Sequence, residues 1–371
     1  MRGFGADGAV TVAHEDSTAR IAAPDTAPGA TSGPEDRVQR GVDRGAREER
    51  EATSLAQGAS LATGAGTRHA DEDPDPWRTC FERDRDRILH SSAFRRLAGK
   101  TQVFVFPEDH QRTRLSHALE VAQVAGGIAR ALGLNVALVE AIALGHDCGH
   151  GPGGHASEDA FDPFLTGGFD HAPWGAEVSL APLNLCVETL DGIANHSWSR
   201  PAPTTAEGEV VSWADRIGYV CHDFEDAVSA GIVVPGELPR VVAERCGTRR
   251  GEQLGAFIDA VVATGIATGQ IGMDAAHADA LAAFRAFNYE RIYLRAESLA
   301  QGDAVVAVLR ALVEHFCANP ELVPPVADAT EEDSVHAAVR YVAGMTDRYA
   351  FRMATSLLDW PASKLPQGID R

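Results

Sequence analysis

Residues 146–155 read His-Asp-Cys-Gly-His-Gly-Pro-Gly-Gly-His, the densest group of histidines in the chain. The preceding segment opens with Asn135, a residue suited to cap a helix, and continues with helically spaced apolar residues. His146 and Asp147 therefore fall where a helix runs into a glycine-rich turn, and at such an end two adjacent side chains can point at one ion. A neutral imidazole beside a carboxylate suits a borderline metal such as Mn²⁺, Fe²⁺ or Zn²⁺.

Two further ligands must come from other parts of the chain. His117 lies in an amphipathic helical pattern, and Asp215 lies in a later one. A single histidine on an apolar helix face is more often an ordinary core residue, and that alternative stays open for His117 taken alone. The combination of a helical histidine, a His-Asp pair before a turn and a helical aspartate downstream is a more specific indication of a metal site.

From about residue 77 onward the hydrophobic pattern is helical almost throughout, which predicts an all-α fold. Thr79 and Glu82 have the spacing of a helix capping box. Residues 103–106 form the one compact β-like run, so the pattern allows a small β-hairpin near residues 101–110. We expect a helical bundle with additional C-terminal helices.

Residues 1–73 have a different composition. They are rich in Ala, Gly, Thr and charged residues, and Phe4 is the only Phe, Trp or Tyr among them. Such a segment buries too little apolar surface to offset the entropy of ordering. We therefore predict a disordered tail over residues 1–73 and one folded domain over residues 74–371.

Composition excludes several classes of protein. The 371 residues include 53 acidic and 33 basic side chains, for a formal charge of -20, which argues against strong binding of duplex nucleic acid through its phosphates. A run of about 18 apolar residues is lacking, so no membrane partner is expected. Six cysteines without a CxxC pair, and no recognisable signal peptide, predict a cytoplasmic protein.

Longer motifs surround the candidate ligands. They are RDRDRILHSSAFRRL at 83–97, KTQVF at 100–104, RTRLSHALEVA at 112–122, the histidine stretch at 146–155, ADRIGY at 214–219 followed by His222-Asp223, and AGMTDRYA at 343–350. In this order they resemble the HD-domain superfamily of metal-dependent phosphohydrolases, and specifically the deoxyguanosinetriphosphate triphosphohydrolase family. The resemblance spans roughly residues 76–352 and implies an HD-domain fold for the helical bundle.

The resemblance implies an activity and a cofactor. Members of the family hydrolyse deoxynucleoside triphosphates, dGTP or dNTPs generally, to the deoxynucleoside and inorganic triphosphate. The positions that match the family's metal ligands are His117, His146, Asp147 and Asp215, and the ion would be divalent: Mn, Mg, Fe or Co. A homo-oligomer is also implied.

The resemblance further implies catalytic roles for His150, His155 and His171, and spacing adds Glu158 to this group. From the spacing we expect Glu158 to orient His155 on one helical face. His155 is assigned as general acid, although spacing does not separate it from His150. The structural alternative is that His150 and His155 only cap helices around the glycine turn.

Five positions match substrate-binding residues of the family. Arg114 and Arg216 would contact phosphate, Gln102 and Asp223 would hold the sugar 3′-hydroxyl, and Tyr219 would pack under the deoxyribose. Alternatives stay open for two of them, since Arg216 could form a surface salt bridge and Tyr219 could be ordinary core.

The chain also departs from the family pattern. Gly151 and Gly153 stand where bacterial relatives usually have Pro and Phe, and residues 172–174, Ala-Pro-Trp, replace a common Asn-x-Gln pattern. These departures leave the base preference open. Two other functions compete with dNTP hydrolysis: an HD phosphohydrolase acting on another nucleotide, such as a 5′-monophosphate or a signalling nucleotide, and a catalytically silent nucleotide sensor.

Overall fold

The computed structural model describes residues 41–107, 110–325 and 333–367, and this part of the chain contains fifteen α-helices and no β-strand. The helices are α1 (Arg44–Ser54), α2 (Cys80–His90), α3 (Ser92–Arg96), α4 (Arg114–Leu132), α5 (Val136–Gly145), α6 (Ala156–Phe161), α7 (His171–Trp174), α8 (Val187–Ala194), α9 (Ala206–Ser229), α10 (Arg240–Cys246), α11 (Arg250–Thr268), α12 (Ala275–Asn288), α13 (Ala296–Ala318), α14 (Ser334–Ala343) and α15 (Asp347–Leu358). The predicted all-α class is confirmed.

Local side-chain chemistry sets the ends of the helices that carry the site. The predicted capping box of α2 is present, with Thr79 accepting from the Glu82 amide and the Glu82 carboxylate accepting in return. Thr113 caps α4, which ends at Gly133 with a left-handed φ of 69°. The Asn135 side chain accepts from the Leu138 amide and starts α5, as the sequence predicts.

The helices build two separate hydrophobic cores. In the first, α4 packs on α5 and α9, while α2 and α8 pack on α5. In the second, α13 packs on α6, α14 and α15. The histidine stretch 146–155 begins after α5 in the first core and ends before α6 in the second, so it crosses from one core to the other.

The predicted hairpin near residues 101–110 does not form in the described residues. A single antiparallel bridge joins Thr101 to Thr113, and residues 108–109 lie outside the described part of the chain. Phe104 is buried in the first core and Val105 in the second, and Phe106 has a φ of +56°. Burial of neighbouring residues in different cores, followed by a left-handed residue, prevents an extended strand from continuing.

The predicted disordered tail is wrong for residues 43–73, because Arg44–Ser54 forms α1 and the described residues from Asp43 onward group into one compact unit. Residues 1–40 lie outside the described part of the chain. Polar burial explains the difference: the fully buried Glu207 accepts from the Ser60 amide and hydroxyl and from the Asn135 amide. A prediction from apolar composition does not detect anchoring by hydrogen bonds to a buried carboxylate.

None of the described helices combines the length and the apolar composition needed to cross a membrane. All six cysteines are free thiols, and five of them are buried.

Candidate metal centre and active site

Three helical elements bring the four predicted metal ligands together. His117 lies in the first turns of α4, His146 and Asp147 follow the last residue of α5, and Asp215 lies in α9. Because α4 packs on both α5 and α9, these positions face one another across the first core. Their placement follows from the same helix ends and faces that the sequence pattern indicates.

The ligand atoms of this quartet meet around His146: those of His117, His146 and Asp215 lie within 4.8 Å of one another, and Asp147 joins them through His146. Nε2 of His117 lies 2.9 Å from Oδ1 of Asp215. Nε2 of His146 lies 3.6 Å from the same oxygen and 3.5 Å from Oδ1 of Asp147. His117, His146 and Asp147 are at most 3% exposed. Separations of this size between donor atoms are those of ligands that share one ion.

The protonation pattern of His146 fits a metal ligand. Its Nδ1 lies 2.7 Å from the carbonyl oxygen of Ala143, which can only accept, so Nδ1 carries the proton and Nε2 has a free lone pair. That Nε2 is buried and has no hydrogen-bond partner within the described residues. A histidine that donates one ring N–H to a backbone carbonyl and aims the other nitrogen at a common centre has the usual arrangement of a metal ligand. The residues present therefore fit a divalent ion.

Charge around Asp147 keeps it ionised. Burial alone would raise the pKa of this carboxyl, but the Arg114 guanidinium and the neighbouring His146 and His150 hold the pKa well below its usual value. Nη1 of Arg114 donates to Oδ2 of Asp147 at 2.8 Å, and this leaves Oδ1 turned toward the histidines. The oxygen nearest the imidazoles is thus an anionic acceptor.

Arg114 supplies a buried cation beside the quartet. It is 1% exposed, and its Nε and Nη2 have no hydrogen-bond partner within the described residues. A buried guanidinium with unused donors is costly unless an anion completes it. The predicted phosphate contact of Arg114 is consistent with this arrangement.

The remaining predicted catalytic residues lie on the other side of Asp147. Nε2 of His150 is 3.3 Å from Oδ1 of Asp147, and the His150 ring stacks on the His171 ring with a centroid distance of 3.7 Å. The His155 and His150 ring centroids are 5.0 Å apart, and His155 is exposed. His150 is buried, and burial together with the Arg114 cation holds its pKa well below the usual value. Desolvation and Arg114 also lower the pKa of His155, to about 4.

Glu158 takes a different partner from the one expected. The spacing predicts that it orients His155, whereas its Oε1 lies 2.5 Å from Nδ1 of His171 and 3.3 Å from the His171 backbone nitrogen. Burial would raise the pKa of Glu158, but the hydrogen bond from His171 lowers it to about 2. His155 is the N-cap of α6, three positions before Glu158, but the Glu158 carboxylate contacts the His171 ring instead.

Three of the predicted substrate residues have buried polar atoms without a partner. Oε1 of Gln102, Nε of Arg216 and Oδ1 of Asp223 are buried without a hydrogen-bond partner in the described part of the chain. The Arg216 guanidinium lies 3.5 Å from the Trp198 ring centroid, so it forms a cation–π contact with an indole and not the surface salt bridge that was its alternative role. The Tyr219 hydroxyl accepts from Nε of Arg285 at 3.1 Å.

The sequence reasoning missed several residues. His196, at the end of a predicted helical segment, is 2% exposed, and its Nε2 lies 3.3 Å from Nε2 of His171. Tyr293 donates its hydroxyl to Oδ2 of Asp223. A His after a helix and an isolated Tyr are weak signals one at a time, and only the packing of α8 and α12 against α9 brings them to the site.

Cys148, between Asp147 and Gly149, is buried. It is 3% exposed, and burial raises the pKa of its thiol to about 12. Burial with a raised thiol pKa is typical of a cysteine that packs in a core and not of a reactive nucleophile.

Comparison with known proteins identifies the same region. The HD domain family model matches residues 114–219, and the phosphohydrolase-associated domain model matches residues 271–356. A deoxyguanosinetriphosphate triphosphohydrolase-like protein of Caldanaerobacter subterraneus subsp. tengcongensis is 39% identical over 312 residues, covering 82% of this chain and 92% of the relative. One from Clostridium perfringens strain 13 is 42% identical over 295 residues, covering 75% of this chain and 86% of the relative. A solved phosphohydrolase from Bacteroides thetaiotaomicron aligns with a TM-score of 0.46 and 17% identity over 73% of this chain and 67% of its own. The two sequence relatives and the HD match show that this chain belongs to the deoxyguanosinetriphosphate triphosphohydrolase-like family of HD-domain phosphohydrolases.

Proposed function

We propose that this protein hydrolyses deoxynucleoside triphosphates at the α-phosphorus. Water adds to phosphorus, the bond from phosphorus to the 5′ oxygen breaks, and the products are the deoxynucleoside and inorganic triphosphate. The observation that carries the proposal is the close group of His117, His146 and Asp215, with Asp147 beside His146 and an Arg114 guanidinium with unused donors next to it. The names of the sequence relatives support the nucleotide class.

The metal quartet would hold one divalent ion. When bound there, such an ion supplies Lewis-acid chemistry at a phosphate oxygen and a water of lowered pKa. The neighbouring protein groups bind and orient the triphosphate. The unused Nε and Nη2 of Arg114 are free for an anion, and the Arg216 guanidinium stacks on Trp198, whose ring centroid lies 4.8 Å from that of Trp213. These cations offset the negative field of an acidic chain at the place where a polyanion must bind.

We assign proton transfer to the group of His150, His155 and His171. The 5′ oxygen needs a proton as it leaves, and His155 is the exposed imidazole of the cluster, placed 5.0 Å in ring centroid distance from His150. Glu158 holds Nδ1 of His171, which fixes the ring that stacks on His150. We assign the general acid to His155 and the ordering of the neighbouring rings to the Glu158–His171 pair.

Sugar recognition would use the α9 face beyond Asp215. Oδ1 of Asp223 and Oε1 of Gln102 are both buried acceptors without partners and are suited to a 3′-hydroxyl. The Tyr219 ring, anchored by Arg285, would close the space beside C2′ and reject a 2′-hydroxyl. We therefore expect a preference for deoxynucleotides.

The decisive experiment is a product assay across the four dNTPs and the four matching rNTPs, with Mn²⁺, Mg²⁺ and Co²⁺ compared. Inorganic triphosphate from a dNTP and not from its rNTP supports the proposal. Orthophosphate or pyrophosphate as the product indicates an HD phosphohydrolase with another nucleotide substrate. Turnover of none of them by a protein that binds nucleotide indicates a silent sensor.

A further inference from the structure

The C-terminal motif 343–350 has no part in the proposed chemistry, yet it contacts the site through a buried carboxylate. Asp347, the first residue of α15, is 2% exposed. Its Oδ2 accepts from the Thr101 amide at 2.9 Å and from the Thr101 hydroxyl at 2.6 Å. Its Oδ1 accepts from the Gly153 amide at 2.8 Å. One side chain thus ties the segment before Gln102 to the turn between His150 and His155.

Lys100 forms a second connection at the same place. It is 3% exposed, and its Nζ donates to the backbone oxygens of His150 and Ala343, the latter at 3.1 Å. Ala343 ends α14 and Asp347 begins α15, so both connections start from one helix junction. The backbone at Gly99 approaches this junction closely, since a Cβ added there would lie 2.9 Å from Cγ2 of Thr346.

The turn itself has a backbone that needs external support. Gly153 and Gly154 have φ values of +73° and +65°. A Cβ at Gly153 would lie 2.4 Å from Val305 of α13, and one at Gly154 would lie 2.9 Å from the Thr101 oxygen. The turn therefore fits closely between the second core and residue 101, while the His155 side chain that it presents is exposed. The direction of that side chain depends on the turn backbone.

We propose that Asp347 is a positioning residue that fixes the 150–155 turn and the Thr101–Gln102 segment in the geometry needed for turnover. This inference rests on the proposed function for its activity readout. Asp347 acts through Gly153 and Thr101 and touches no reacting atom. The metal quartet is held by α4, α5 and α9 in the other core, so loss of Asp347 leaves metal binding intact.

Asp347→Asn is the main test. An asparagine of the same shape has one acceptor oxygen and one amide donor, so at least one of the three donors around position 347 loses its partner. We expect faster amide hydrogen exchange in peptides covering 100–102 and 149–155, unchanged exchange in α4 and α9, and unchanged metal content. For the best dNTP we expect kcat/KM to fall about 10- to 100-fold, mainly through kcat.

Matched variants separate positioning from a general loss of structure. Asp359→Asn changes an exposed carboxylate at the other end of α15 and should behave as wild type in every readout. Thr101→Val removes the hydroxyl donor and should show a smaller version of the Asp347→Asn effect, whereas Thr101→Ser keeps that donor and should stay within about twofold of wild type.

The outcomes are distinguishable from those of the proposed function. If wild-type protein hydrolyses no dNTP, the proposed function fails, and the exchange measurement alone then decides whether Asp347 fixes the turn. Unchanged exchange at 149–155 in Asp347→Asn overturns the inference. So does a kcat/KM within twofold of wild type, or a loss of metal and a rise of exchange throughout the chain, which would show a merely structural role.

Discussion

The two halves of the candidate site are built in different ways. The metal quartet comes from α4, α5 and α9 within one core, and each ligand is fixed by a helix that buries an apolar face. The histidine turn 150–155 packs against the second core, its Gly153 amide donates to Asp347 of α15, and Lys100 donates to the His150 carbonyl oxygen. The first half depends on helix packing and the second on a few polar and steric contacts. Single substitutions should therefore separate metal binding from turnover.

Replacement of Asp147 should have the largest effect. Asp147→Ala removes a ligand and leaves the buried Arg114 without its partner, so both metal content and turnover should be abolished. Elemental analysis and the triphosphate assay measure the two losses. Asp147→Asn preserves the shape and should show the same loss if the Ala variant folds poorly, while Asp159→Ala, an exposed carboxylate in α6, serves as the control. Turnover retained by either Asp147 variant contradicts the ligand assignment.

His155→Ala should impair catalysis without affecting metal binding. Because His155 is outside the metal quartet, metal content should stay at the wild-type level, while kcat falls about 10²- to 10⁴-fold through loss of the general acid. The exposed His90→Ala variant is the control. If the fall appears in His150→Ala and not in His155→Ala, the acid is the buried imidazole instead.

Gly153→Ala tests whether the histidine turn 150–155 is held by close packing against α13. The added methyl group meets Val305 at a position with positive φ, so the free energy of unfolding should fall by about 2 to 4 kcal/mol and kcat should fall with it. Gly127→Ala in α4, where a Cβ meets nothing within 4 Å, should be neutral or raise stability by about 0.5 to 1 kcal/mol. Urea denaturation curves measure both. Equal effects of the two variants would show that the turn is not closely packed.

Asp223 gives the smallest expected effect, and it depends on pH. Burial raises the pKa of Asp223 to about 7, against 3.8 for an ordinary Asp. Between these two pH values the carboxyl is protonated in the folded state and ionised in the unfolded state. Stability therefore falls as pH rises between these values, and Asp223→Asn should gain about 2 kcal/mol relative to wild type from pH 5 to pH 7. Thermal unfolding at several pH values measures the difference. A constant difference across this window would show that Asp223 is ionised throughout.

Much of the metal quartet could be predicted from sequence. His117 and Asp215 sit on periodic helices, and the Asn135 cap with the glycine turn after Asp147 marks the end of α5. Helix caps and periodicity are local properties, so the residues that face the first core are visible in the pattern. The family resemblance then gave the pairing of these distant residues, which spacing alone does not.

The contacts that hold the histidine turn 150–155 could not be predicted in the same way. Glu158 bonds to His171 thirteen positions away and not to His155, and Asp347 bonds to Thr101 and Gly153 across more than 190 residues in each case. These partners are set by tertiary packing between two cores, and no local pattern encodes them. The same limit explains the missed order of residues 43–73, which depends on Glu207 far along the chain.

The most direct test is a crystal structure of the Mn²⁺-loaded protein with anomalous diffraction recorded at the manganese edge. A single anomalous peak within about 2.0 to 2.4 Å of Nε2 of His117 and His146 and of a carboxylate oxygen of Asp147 and Asp215 is expected. No peak among these four side chains, or a peak bound by other residues while the four stay apart, would contradict the shared metal centre.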